Sequence, residues 1–517
     1  MPDSSASAST APLAGASVPL GPPEIGRFDR RYANRAMLLL GGLIVVVLYI
    51  EAMLTPSLPS IAAQFNVSEA QVSLVLAVYL VSGCALAPII GKLGDIYGKK
   101  RVLIYVLVIY TVSVSVTGFS PNFAFLIAAR TVQGIGLGIF PLAMTLVREE
   151  FPRELVPRSQ GILSGMFGVG LAISLPLGAF ISNGYGWQVT YHTAIPFVVL
   201  LTVLSAVVLR ESRYRRPQAK VDYIGATGLG SSLALIVLGL SLGPSWGWSS
   251  AGTWTLMGLG LAILVPVALY ERWASEPILN YRMLKERNLM VTNLVVTLTG
   301  LGYFLALQAM TFRFQSPPGS GFSYTIFGTG VALVPFAIAQ LIFAPLAGHF
   351  VSRTGVRPMV YLGSVVGCIG FGLAAFANDP VGLMTSEFVA SAGLAIVIAS
   401  IINLMVLTVE PKDLSLATAL NTVFRLIGSS VGAPIAGTIM TTFAITVSAP
   451  SGALSAPSPL AYEIIFSIAA ASFVVIAFVT FFSREMLGRR PHVSHILTTD
   501  SGSSAAVPPS PPISTEA

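Results

Sequence analysis

Charge is the scarcest property of this chain. Only 10% of its 517 residues are Asp, Glu, Lys or Arg, while 54% are hydrophobic, and mean hydropathy is +0.79. A soluble domain carries about 25% charged residues. This chain therefore cannot clothe a water-facing surface, and lipid must be its solvent. Cysteine is as scarce: Cys84 and Cys368 stand far apart in apolar runs, which excludes a disulfide framework and a thiolate metal site and reads as two small buried hydrophobes. The sequence offers no His/Cys metal cluster, no P-loop and no nucleophile with its base, so neither an enzyme nor a cofactor is expected. Gly134-x-Gly136 lies inside an apolar run, without the strand-to-helix setting of a nucleotide loop. His192 and His349 are single residues near the ends of apolar runs and read as interfacial side chains.

What the chain has in plenty is apolar runs of about 20 residues, the length a bilayer core requires. Backbone polar groups in lipid must be satisfied within their own element, so each run is expected to be a helix; the runs do not alternate as the strands of a membrane barrel would. Spans fall near 37–57, 72–91, 102–118, 123–147, 160–182, 192–209, 223–243, 252–270, 290–312, 325–348, 358–377, 382–408, 415–444 and 461–482. The expectation is an all-α polytopic membrane protein with fourteen transmembrane helices. Residues 1–36 and 484–517, rich in Ser, Ala and Pro, read as disordered tails.

The cations test this count. All but three of the 29 Lys and Arg lie in the first tail, the last tail, or every second loop. Alternate loops such as 58–71, 183–191 and 444–460 contain none. Positive loops stay in the cytoplasm, so both termini are expected there, in a multi-pass protein of the cell membrane. The net charge of +7 then follows topology and gives no support to nucleic-acid binding. The three exceptions, Arg130, Arg313 and Arg425, fall within spans.

The chain also repeats itself. Residues 91–101 read GKLGDIYGKKR, and 348–358 read GHFVSRTGVRP. Gly91, Asp95, Gly98 and Lys100 match Gly348, Ser352, Gly355 and Arg357 at one constant offset. Each copy joins the second and third spans of a six-span unit. A weaker echo pairs 151–157 with 409–415. Two pseudo-symmetric six-helix bundles, 37–210 and 272–483, are expected, with two further spans inserted between them at 211–271. Repeated bundles with a site at their interface are a transporter architecture.

The first loop, with Lys99 and Arg101 beside the matched residues, resembles the signature loop of the major facilitator superfamily. The resemblance extends through RTVQGIGLG (130–138), carrying Arg130, Gln133 and Gly134, and GWQVTYHTAIP (186–196). VDYIG (221–225) and EPILNYRMLKERN (276–288) resemble the flanks of the two inserted spans in the fourteen-span drug:proton antiporters, and GFSYTIFGTGVALVP (321–335) and FRLIGSSVG (424–432) resemble the same family. Two departures stand out. The family's span-5 motif G-P-x-x-G here reads Ser174-Leu175-Pro176-Leu177-Gly178, with the proline displaced by one, and the usual span-1 aspartate position holds Ile50, with Glu51 beside it. The resemblance implies a secondary active transporter that uses protons and no cofactor. Efflux of amphipathic small molecules by a monomer in the bilayer is the expectation it carries. A carrier of a specific metabolite and a non-transporting sensor on the same fold are the alternatives. In that family the loop aspartate, here Asp95, braces the cytoplasmic ends of the two halves.

Ionisable groups at bilayer depth are functional candidates by default, and four stand out: Glu51, Arg130, Glu387 and Arg425. Desolvation penalises the charged form of a buried carboxyl, the condition that a proton-coupled acid requires, while a structural ion pair is the plainer role for either acid and for Arg425. Arg130 matches the family's span-4 arginine, implicated there in proton coupling. Arg313 reads as a snorkelling residue. Gln308, Asn403 and Asn421 could line a cavity or join helices. Gly134/Gly138, Gly161/Gly165 and Gly428/Gly432 have the spacing of close helix crossings.

Overall fold

The computed structural model describes residues 30–152, 155–212, 215, 220–274, 277–278, 281–409, 414–449 and 452–484. The echo at 151–157 and 409–415 lies partly outside these residues, as do positions 1–29 and 485–517 of the expected tails.

The first bundle runs α1 (Arg30–Ala52), a 3-10 turn (Thr55–Ser57), α2 (Leu58–Phe65), α3 (Glu69–Val72), α4 (Leu74–Tyr97), α5 (Lys99–Thr117), α6 (Phe123–Gln133), a 3-10 segment (Gly134–Gly138), α7 (Ile139–Glu150), α8 (Val156–Tyr185) and α9 (Trp187–Val208). An inserted pair follows, α10 (Tyr223–Trp246) and α11 (Ala251–Tyr270). The second bundle runs α12 (Tyr281–Leu284), α13 (Arg287–Gln315), α14 (Ile326–Ala332), α15 (Val334–Thr354), α16 (Val356–Phe376), α17 (Pro380–Thr408), α18 (Leu414–Thr442) and α19 (Pro459–Phe481). Among the described residues, 13 helical stretches are long and apolar enough to cross a membrane, and the 30-residue α8 occupies the place of the fifth expected span. Every span read from the sequence is therefore met by a helix.

Side chains set many of the helix starts. Asn122, Asp222, Thr325, Asp379 and Ser458 each accept a hydrogen bond from a first-turn amide, which satisfies donors that a helix leaves unpaired. Asp379 is followed by Pro380, a residue that suits the first helical position because its missing N–H would have been unpaired there.

Three features differ from the sequence reading. The first helix begins at Arg30, inside the expected tail, because Tyr32 is buried and its hydroxyl bonds the Glu150 carboxylate and accepts from the Arg210 amide. That is a tertiary tether no local pattern announces. The chain is also not purely helical. Strands β1 (Ala444–Ala449) and β2 (Gly452–Pro457) form an antiparallel hairpin before α19, with Ala444 opposite Pro457 and Ala449 opposite Gly452. Finally, Gly91 lies inside α4 and Gly348 and Ser352 inside α15, so the repeated loop is mostly helix.

The break in each copy is one glycine. Gly98 (φ +106°) and Gly355 (φ +96°) end α4 and α15 and start α5 and α16, a conformation that glycine tolerates and other residues resist. The matched backbone is the structural counterpart of the repeat. At Gly98 a second constraint adds to the first: a Cβ there would lie 2.7 Å from the carboxyl carbon of Glu211. That carboxylate accepts from the amides of Lys100 (3.0 Å) and Arg101 (3.2 Å) at the start of α5, the end of a helix that favours negative charge.

Within the second bundle α13 and α18 cross closely. A Cβ on Gly428 would sit 1.9 Å from the Thr297 carbonyl oxygen, and one on Gly432 2.5 Å from that of Leu301. The inserted α10 packs against both α4 and α18, with Thr438 donating to the Leu240 carbonyl at 2.7 Å.

Candidate functional site

Midway along the first bundle, Gly134–Gly138 interrupts a helix with a 3-10 segment, a local tightening often found at functional positions. The glycines are there for contact. A Cβ at Gly134 would meet Ser82 Oγ at 1.8 Å, and one at Gly138 would meet Ile90 at 2.6 Å, so α6 and α7 lie directly on α4. This approach turns Arg130 and Gln133, on the last turn of α6, inward.

Arg130 is fully buried. Its Nε donates to the Val75 carbonyl at 3.0 Å, and its Nη1 donates to Gln133 Oε1 at 3.0 Å and to the Ile50 carbonyl at 3.4 Å. Its guanidinium stands 4.7 Å from the Tyr79 ring centre, within cation–π range. Gln133 Nε2 donates onward to Thr117 Oγ1 at 2.6 Å. Arg130 thus ties α1, α4 and α6 together, while its Nη2 has no hydrogen-bond partner. The side chain is fixed, yet it keeps a donor free.

Between the bundles lies a cavity of about 30 Å³, room for roughly two water molecules. Glu51 and Arg425 both line it, with Ile44, Val47, Leu48 and Thr422 among their neighbours. Glu51 is within electrostatic reach of Arg425 and Arg130. The acid of the first bundle and the arginine of the second therefore face one cavity across the seam, and a change of charge on one is felt by the other. Tyr303 stands within reach of Glu51, Arg425 and Glu387 and stacks on Phe336 at 5.2 Å. Glu387 itself is fully buried, and neither carboxylate oxygen has a hydrogen-bond partner. It does not line the Glu51 cavity. The four membrane-depth ions thus resolve into a group of three, Glu51, Arg130 and Arg425, with Glu387 one tyrosine away. Sequence reasoning missed Tyr79 and Tyr303, since a tyrosine in an apolar run carries no signal separating a site from a core.

The other candidates find structural places. Arg313 is gripped between the rings of Phe322 and Tyr462 and donates to the Ser320 carbonyl at 3.2 Å, a brace rather than a snorkelling group. Asn421 donates to Asn293 at 3.3 Å, and Asn403 to its own helix. Pro176 leaves α8 continuous, and a Cβ on Gly178 would lie 2.5 Å from the Met53 carbonyl.

The bonds that join the bundles gather at the end away from the basic loops. Gln315 donates to the Pro56 carbonyl at 2.6 Å, Gln308 to that of Glu69 at 3.3 Å, and Thr441 to the Glu69 carboxylate at 3.2 Å. Phe180 meets Phe327 edge-on at 5.8 Å. At the basic end, Gly91 and Gly348 have nothing within 4 Å of where a Cβ would stand. Asp95 pairs with Lys99 at 3.0 Å, and Lys99 with Glu149 at 2.8 Å. Among the described residues this relay lies within the first bundle and ties α4 to α7. Asp95→Asn is expected to lower turnover with insertion and folding unchanged. It removes one charged bond worth roughly 1–3 kcal/mol while Glu149 still neutralises Lys99. Transport rates beside membrane expression levels decide this, and a normal rate would remove the relay from the mechanism.

The sequence profile of the Major Facilitator Superfamily matches residues 40–279 and 289–505. The chain belongs to this superfamily. It is 26% identical over 415 residues, 79% of this chain and 76% of the other, to the multidrug transporter protein MdtP of Bacillus subtilis (strain 168). It is 24% identical over 386 residues, 74% and 71% of the two chains, to the tetracenomycin C resistance and export protein of Streptomyces glaucescens. Its fold matches the crystal structure of the human organic anion transporter MFSD10 (TETRAN) with a TM-score of 0.59 at 14% identity, over 86% of this chain and 99% of that one. The protein is a multi-pass transporter of the major facilitator fold.

Proposed function

We propose that the protein exports amphipathic small molecules in exchange for protons by alternating access. The observation that carries this reading is the cavity at the seam, where Glu51 of one bundle faces Arg425 of the other with Arg130 within reach. A carboxyl so placed can hold a proton in one state and a salt link in the other, and its charge biases which way the bundles lean. A relative named as a resistance and export protein supports the direction of transport. In this reading the basic loops are cytoplasmic. The bonds of Gln315, Gln308 and Thr441 then form a closed outer gate, and the space at Gly91 and Gly348 belongs to an inward-facing state. Substrate-dependent proton movement across proteoliposomes holding the purified protein tests the exchange. An amphipathic dye that is moved without any proton flux would overturn it.

The topology has its own test. With Cys84 and Cys368 replaced by alanine, a cysteine at exposed Gly184, where a Cβ meets nothing within 4 Å, should react with an impermeant maleimide added to sealed cells. One at exposed Lys220 should react only after lysis. The reverse pattern would invert the protein in the membrane.

A further inference from the structure

Charge does not balance around Arg130. Arg130 and Arg425 stand within electrostatic reach of one acid, Glu51, and Glu387 reaches neither arginine. One positive charge therefore stays uncompensated at bilayer depth when Glu51 is ionised, and two when it is neutral. Among the described residues no ion pair joins Arg130 to a carboxylate. A buried charge left without a counter-charge is strongly destabilising, so this guanidinium calls for a group of opposite sign.

Its surroundings offer donors and no acceptor to match. Arg130 Nε and Nη1 are taken up by the Val75 and Ile50 carbonyls and by Gln133 Oε1, and Gln133 Nε2 is held by Thr117. Arg130 Nη2 has no partner. Three tyrosines from three other helices stand around it: Tyr79 on α4, Tyr110 on α5 and Tyr191 on α9. Each is at most 1% exposed, and each is within electrostatic reach of Arg130. None of their hydroxyls completes a hydrogen bond. Close packing fixes two of them, since a Cβ on Gly136 would lie 2.5 Å from the Tyr110 ring and one on Gly118 3.2 Å from the Tyr191 Cβ. Buried hydroxyls are nearly always hydrogen-bonded. Three that are not, beside a free guanidinium N–H, are four donors with one missing acceptor. None of the three tyrosines lines the Glu51 cavity, so this is a second place in the molecule.

We propose that Arg130, Tyr79, Tyr110 and Tyr191 hold a small monovalent anion, of the size and charge of chloride, inside the first bundle. Water would satisfy the hydroxyls but cannot cancel the charge. Sulfate would bring two charges, and taking a divalent ion out of water costs far more than one donor set returns. A guanidinium is itself weakly hydrated, so it suits an anion that gives up its water readily. The anion and the Glu51 carboxylate draw on the same guanidinium, so the binding of one weakens the other, reciprocally. The inference goes beyond the exporter reading and does not need it.

The full-length protein in lipid nanodiscs, kept at constant ionic strength, tests this. Replacing sodium gluconate with sodium chloride should raise Tm saturably, because a ligand of the folded state stabilises it. Bromide and nitrate should act alike, and sulfate should not. The double variant Tyr110→Phe/Tyr191→Phe removes two hydroxyls and keeps both rings. In it the half-saturating chloride concentration should rise at least about tenfold, as when hydrogen bonds to a charged group are lost. Trp187 gives a second readout, being 2% exposed, with its ring centre 6.4 Å from that of Tyr191. With Trp246, Trp248, Trp254 and Trp273 replaced by Phe, bromide should quench it saturably and chloride should reverse the quenching. Equal Tm in chloride and gluconate would overturn the site. So would a chloride response unchanged in the double variant, since the hydroxyls would then hold water alone. Neither readout involves a substrate, so a protein that exports nothing would still show whether the anion binds.

Discussion

Glu51→Gln should abolish accumulation of substrate driven by a pH gradient while leaving substrate binding in place. The amide keeps the size of the carboxylic acid and mimics its neutral form, so the 30 Å³ cavity keeps its shape. What disappears is the charge. On the proposed mechanism, deprotonation creates an anion facing Arg425 and within reach of Arg130, whose attraction draws the two bundles together across the seam. Protonation cancels it. A gradient can drive exchange only if the two protonation states favour different conformations, and a side chain that cannot ionise gives the gradient no differential free energy to act on. Accumulation in inverted vesicles should fall at least about tenfold, the population change that 1.4 kcal/mol of lost bias produces. Dye binding at pH 6 and pH 8, which should differ in the wild type, should become equal in the variant. Concentrative uptake by Glu51→Gln would move the coupling role to Glu387 or Arg130.

The same group of residues shows what can and cannot be read from a sequence. Glu51, Arg130, Arg425 and Glu387 could be singled out because an ion at bilayer depth is costly and therefore conspicuous in an apolar run. Their grouping could not. Whether Glu51 faces Arg425 or Glu387 depends on how spans far apart in the chain pack, and that information lies in contacts such as Gly428 against Thr297, which fix the second bundle's helices against one another. Glu51 sits one position from the family's usual acid, yet the cavity still receives it, because a residue's facing is set by the whole helix and not by its register in a motif.

The fold was more legible. Lipid forces each run of about 20 apolar residues into a helix, so hydropathy alone located the spans, and the repeated Gly98 and Gly355 turned out to share one backbone conformation. The misreadings all have tertiary causes. Tyr32 carries α1 seven residues beyond its apolar run through Glu150 and Arg210. Glu211 caps α5 from a distant segment. The β1–β2 hairpin is built from small and β-branched residues in a loop whose composition says only that it is uncharged, and Ser320 ties it down by donating to the Pro457 carbonyl. Asp95 was expected to brace one half against the other. Among the described residues it pairs with Lys99 and through it with Glu149, groups of its own bundle.

On the proposed alternating-access reading the end away from the basic loops is closed, and Gly330 sits in that closure. A Cβ there would stand 2.2 Å from that of Ala179 and 2.8 Å from the Leu175 carbonyl oxygen. No rotamer relieves a clash between a Cβ and a neighbouring backbone. Gly330→Leu should therefore push α14 off α8 and oppose the contact of Phe180 with Phe327, which the proposed mechanism assigns to the state with the outer gate shut. Overfilling a close-packed contact costs about 1–3 kcal/mol. Since that cost falls on one conformation alone, it should shift the balance roughly tenfold to a hundredfold toward the outward-open state. Transport should be lost although the protein inserts and folds. A cysteine at Gln315, whose amide bonds the Pro56 carbonyl in the closed gate, should become readily labelled from outside in Gly330→Leu and stay poorly labelled otherwise. If that cysteine remains protected and turnover is normal, then the α8–α14 contact is not a gate, and the closed outer end does not belong to the transport cycle.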